Sequence, residues 1–121
     1  KICLMNIEEL REYSLSKKGA TEDFPFDEET LVIRVMNKIF AILPLERGPC
    51  INLKCDPELV VSLREHYNAV EPAYHMNKKH WNTVWGDRDA GPEEIRRWID
   101  HSYDLIVNAL PRKLKAELEM M

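Results

Sequence analysis

Residues 92–110 constrain the fold more than any other stretch. Pro92 opens the segment and Glu93 and Glu94 follow; Ile95, Trp98, Ile99, Ser102, Leu105, Ile106, Ala109 and Leu110 then recur at intervals of three and four. That period puts them on one stripe of a helix, and so wide an apolar stripe must be covered by a second layer. Pro111 ends or kinks the helix, leaving 112–121 for a frayed final turn or two. With 121 residues available, the covering layer has to come from the same single domain, 1–121, with its core at about 5–114.

The middle of the chain supplies that layer. Leu31–Met36, Ile39–Leu43 and Cys50–Cys55 are rich in β-forming residues and are separated by turn signals. Asn37-Lys38 fits a two-residue hairpin turn, Pro44 ends the second strand, and Glu46–Pro49 is a further turn. In the third strand Ile51 and Leu53 alternate with Asn52 and Lys54, which predicts a sheet with one covered face and one wet face. Two more short strands fit Ala69 to Trp85, joined by a turn at Met76–Lys79; Trp81, Thr83 and Trp85 share one face.

Helices flank these strands. Asn6 and Glu9 form a capping-box pattern ahead of Ile7, Leu10 and Ser14, and Gly19 is a stop signal. Ala20–Thr30 reads as an acidic loop anchored by Phe24 and Phe26. Asp56-Pro57 starts a second helix with Leu59, Val60, Leu63 and Tyr67 as its buried stripe and Asn68 as a left-handed stop. The order is α-β-β-β-α-β-β-α: a two-layer α+β domain with a five-stranded antiparallel sheet and its helices on one face.

Charge is distributed unevenly. The chain carries a formal −4, which excludes a strongly basic coat for nucleic acid, yet residues 31–85 hold seven basic and five acidic side chains. No carboxylate occurs from Pro72 to Gly86, where Tyr74, His75, Asn77, Lys78, Lys79, His80, Trp81 and Trp85 cluster. Cations interleaved with aromatic rings suit phosphates and bases, so a hairpin here, helped by Lys38 and by Lys54 or Arg34, is the candidate nucleic-acid contact. Alternatively Trp81 and Trp85 would anchor a protein partner, or a pocket between sheet and helices near His75, Trp81 and Tyr103 would hold a small ligand.

Catalytic and metal signals are absent from the pattern. There is no GxSxG, P-loop, GxGxxG, CxxC or HExxH, and His66, His75, His80 and His101 are scattered, so the expectation is a non-enzyme without metal or cofactor. The three cysteines, Cys3, Cys50 and Cys55, are an odd number without framework spacing, as expected of free thiols in a reducing cytoplasm. Cys50 and Cys55 are an odd number of residues apart, which puts them on opposite faces of a strand. No apolar run is long enough to span a bilayer. The expected state is a monomer.

The run Pro72-Ala73-Tyr74-His75-Met76-Asn77-Lys78-Lys79-His80-Trp81-Asn82-Thr83-Val84 resembles the MmcQ/YjbR family of small bacterial proteins. Thr21–Phe26, Lys38–Ala41 and His101–Leu105 agree with it in order and spacing. The resemblance implies a CyaY-like or secretion-chaperone-like topology and a DNA-binding role through a double-wing motif.

Overall fold

The computed structural model describes residues 4–121, and its elements run α1 (Ile7–Leu15), β1 (Ala20–Asp23), β2 (Thr30–Val35), β3 (Lys38–Pro44), β4 (Cys50–Lys54), α2 (Pro57–His66), β5 (Val70–Pro72), β6 (Trp81–Trp85), α3 (Pro92–Asn108) and α4 (Arg112–Glu119), with a short 3₁₀ turn at Leu45–Arg47. The six strands form one antiparallel sheet in the order β1-β2-β3-β4-β6-β5. α3 lies across β3 and β4, α1 packs beside it, and α2 closes the β5 edge on the same side. Leu10, Leu31, Ile33, Phe40, Leu43, Ile51, Ile95 and Ile99 fill the space between the layers.

Two elements exceed the expected order. β1 occupies part of the stretch expected to be loop; it is an edge strand whose last three residues, Thr21 to Asp23, are exposed, so it carries no apolar alternation and is held by its ladder to β2. After Pro111 the chain forms a full helix, α4, whose Leu118 is buried against the Gly19 corner.

Other expectations shift in detail. The capping box forms as read, with Asn6 Oδ1 accepting the Glu9 N–H at 2.8 Å and Glu9 Oε1 accepting the Asn6 N–H at 3.0 Å. α1 ends at Leu15, ahead of Gly19, which takes φ +74° in the turn into β1. The β2–β3 turn is one residue earlier than expected, at Met36-Asn37; both have positive φ, as a type I′ hairpin requires. On α2 only Val60 is fully buried, and Leu59 is 45% exposed. Asn68 is not left-handed; the turn after α2 is instead fixed by Asp89, whose carboxylate accepts the N–H groups of Asn68 (3.0 Å) and Ala69 (2.7 Å).

The second face of the sheet differs most from expectation. Val32, Ile42, Cys50 and Thr83 point away from the helices by register, yet all four are buried. This face is bordered by the 24–29 loop, the 3₁₀ turn and the 73–80 loop rather than being uniformly wet.

Candidate functional site

Register determines which side chains share the loop-bordered face. Thr30, Val32 and Arg34 of β2 lie opposite Pro44, Ile42 and Ile39 of β3; Cys50, Asn52 and Lys54 of β4 lie opposite Trp85, Thr83 and Trp81 of β6. An extra residue in β3, Phe40, interrupts the ladder between Ile33–Ala41 and Arg34–Ile39. This bulge turns both Phe40 and Ala41 toward the helices and leaves Ile39 and Ile42 on the other face.

The eight residues between β5 and β6 are not the tight wing expected from the sequence. They form consecutive turns, with the Met76 N–H bonded to the Ala73 carbonyl and the His80 and Trp81 N–H groups to the Asn77 carbonyl. The Asn77 side chain accepts the Lys79 N–H at 2.9 Å. Arg64 of α2 clamps the loop from behind. Its guanidinium donates to Asn82 Oδ1 at 2.6 Å, to the Trp81 carbonyl at 3.3 Å and to the Lys78 carbonyl. The loop thus presents His75 and Met76 to the sheet face. Tyr74, His75, Asn77, Lys78 and Lys79 are exposed, and His80 and Trp81 are half-buried. Lys78 Nζ folds back onto the Tyr74 carbonyl at 3.1 Å.

The tryptophans are less available than the sequence suggested. Trp85 Nε1 donates to Glu71 at 2.9 Å, and Arg88 donates to the same carboxylate oxygen at 2.9 Å. The guanidinium groups of Arg88 and Arg47 lie over the Trp85 ring, 4.6 and 5.4 Å from its centroid. Trp85 is therefore a stacking platform for two arginines.

Between the loops and the sheet lies a groove of about 400 Å³, with Ile39, Ile42 and Pro44 as its floor and Phe26 and Met76 at its sides. Arg47, Asn52, His75 and Thr30 supply its polar atoms. The pocket expected near His75, Trp81 and Tyr103 does not form. Tyr103 is on the helix side, edge-on to Phe40 with ring centroids 5.2 Å apart, and its hydroxyl donates to the Lys18 carbonyl at 2.5 Å.

The remaining candidates separate. Lys38 sits beside the β2–β3 turn, paired with Val35, and so falls on the helix side by register. Arg34 pairs with Asp23 at 3.4 Å. His101 accepts the Asp56 N–H at 3.1 Å, and His66 lies against the Ser62 carbonyl at 2.8 Å. Among the described residues no three His, Cys, Asp or Glu side chains converge on a metal position. Cys50 and Cys55 are free and buried, and burial pushes both thiols up to about 11. Cys50 lies on the loop-bordered face and Cys55, just beyond β4, on the helix side; Cys3 is outside the described residues. No helix among the described residues is long and apolar enough to cross a membrane.

The groove escaped sequence reading because its lining comes from several separate segments. One signal pointed to it: Leu31–Ile33 and Ile39–Leu43 are apolar at every position, the pattern of strands covered on both faces.

One antiparallel sheet, with helices packed on one side and long loops bordering the other, defines a small two-layer α+β domain. The chain belongs to the YjbR family, which its residues 15–105 match. It is 37% identical to YjbR of Escherichia coli (strain K12) over 118 residues, covering 94% of this chain and all of that protein. It is 28% identical to YyaQ of Bacillus subtilis (strain 168), covering 84% and 98%. The crystal structure of the Deinococcus radiodurans protein DR2400, a DUF419 domain, superposes with a TM-score of 0.86 at 32% identity over 98% of this chain and 91% of that one. A Pseudomonas syringae crystal structure gives 0.71 at 34% identity, over 84% and 98%.

Proposed function

We propose that this chain is a non-catalytic, cytoplasmic nucleic-acid-binding protein that contacts phosphates with one end of its sheet. The observation that carries the reading is the register. Ala41 is level with Leu53, and Lys54 is level with Trp81. The β2–β3 tip, the Lys54 end of β4 and the 73–80 loop therefore lie at the same end. Lys38, Lys54, Lys78 and Lys79 lie at that end, Lys38 on the helix side and Lys54 on the loop-bordered face, and none forms an ion pair among the described residues.

Three inter-strand steps separate the two protruding segments, about 14 Å at the usual strand spacing. That is close to the roughly 12 Å width of a B-form major groove. The non-catalytic part of the reading is supported by the thiols, which burial holds protonated and unreactive at neutral pH.

Titration of a labelled duplex between about 50 and 200 mM salt tests the proposal. Four lysine contacts give a log–log slope of about −3 to −4, and Lys78→Glu with Lys79→Glu removes most of the binding. No binding at 50 mM salt, or binding indifferent to the charge reversal, overturns it.

A further inference from the structure

We infer that the groove between the sheet and the 73–80 loop binds a small amphipathic monocarboxylate, an acid with an aliphatic or aryl-aliphatic body. This goes beyond the nucleic-acid reading and rests on different residues.

The floor is apolar and already built. Ile39, Ile42 and Pro44 come from β3, an interior strand laddered to β2 and β4. Interior strands offer no free backbone edge, so an extended peptide cannot add to the sheet here and recognition has to come from side chains. A volume of about 400 Å³ is toward the lower end of the range for small-molecule sites and suits a medium-chain body rather than a long lipid.

The polar atoms specify an anion. Arg47 and His75 are the ionisable residues of the lining, and no carboxylate lines the groove. Arg47 is held in place by stacking on Trp85, yet it has no hydrogen bond or ion pair among the described residues. No carboxylate reaches ion-pairing distance of it among the described residues, although Asp87, whose charge acts on Cys50, keeps one buried oxygen without a partner. Glu71 is turned to Trp85 and Arg88, which share its Oε2, while Glu46, next in the chain, sits against Glu29 and pushes that carboxyl up. Asn52 adds a donor: its Oδ1 already accepts the Thr83 hydroxyl at 2.5 Å, which leaves its NH₂ to face a ligand. A guanidinium fork and one amide donor lining the same groove match a single carboxylate; a phosphate dianion needs more cations than the groove provides.

The test is an amide-resolved NMR titration of the full chain with octanoate, 1-octanol and octyl phosphate. Octanoate is expected to shift Ile39, Ile42, Asn52 and Met76 saturably, about tenfold more tightly than octanol. Arg47→Gln abolishes that advantage without changing octanol binding. Ile39→Glu, or Met76→Glu if the strand variant fails to fold, blocks both. The inference is overturned if octanoate shifts map elsewhere, such as to the separate cavity between α1 and β1 lined by Ile7, Arg11, Glu22 and Phe24, or if octanoate and octanol bind equally and ignore Arg47→Gln. It is also overturned if octyl phosphate binds more tightly than octanoate.

Discussion

The Ser102 hydroxyl donates to the carbonyl of Phe40 at 2.6 Å, at the residue where β3 bulges, and accepts the Lys54 N–H at 2.9 Å. One buried side chain of α3 thus joins β3 to β4 where their ladder has stopped at Ala41–Leu53 and Ile42–Asn52.

Ser102→Ala is therefore expected to cost about 2–4 kcal/mol, because it strands one backbone acceptor and one donor at once. Urea unfolding of the wild type and the variant measures it. A loss below about 0.5 kcal/mol would show that water or relaxation replaces the hydroxyl.

Arg64→Met keeps the aliphatic stem and removes the clamp on the 73–80 loop. Charged donors to carbonyls and amides contribute about 1.5–3 kcal/mol each at most, so stability should fall by a similar amount overall. Hydrogen exchange at His80 and Trp81 should quicken more than exchange in α3. Uniform acceleration across the chain would mean that Arg64 supports the whole domain and not the loop in particular.

The thiols predict an alkaline instability. Unfolded, Cys50 and Cys55 ionise near 9; folded, burial holds them protonated to about 11. Across that window the unfolded chain releases protons that the folded chain retains, so stability falls as pH rises. The limit is about 1.4 kcal/mol per pH unit for each thiol. Tyr13 and Tyr103 are also raised by burial and add a loss of the same sign, so the thiol share is the difference between the wild type and Cys50→Ala with Cys55→Ala. Unfolding curves at pH 8 and 10.5 should be farther apart for the wild type.

Most of the scaffold was legible in the residues. The Pro92–Leu110 stripe, the Asn6–Glu9 and Asp56-Pro57 signals, and the β2, β3, β4 and β6 strands all follow local rules that packing does not overrule. β1 was not legible, because Thr21-Glu22-Asp23 is polar throughout and is a strand only by virtue of its partner. α4 was underestimated, because in so short and polar a segment Leu114 and Leu118 are a sparse stripe.

The turn expected at Met76–Lys79 lies inside a longer loop, 73–80, whose conformation was misjudged. Arg64, which clamps it, comes from a different element, α2, so no local pattern announces the contact. The groove was hidden for the same reason, since Phe26, Ile42, Asn52 and Met76 meet only after the sheet has formed.

Ala41 and Leu43 face the helices, while Ile42 between them faces the groove. Structural support and chemical selectivity are thus interleaved along a few consecutive residues without sharing any of them. The volume of residue 42 can change what the groove admits while the helix-facing contacts of 41 and 43 stay as they are, which makes it a natural position for tuning selectivity on an unchanged frame.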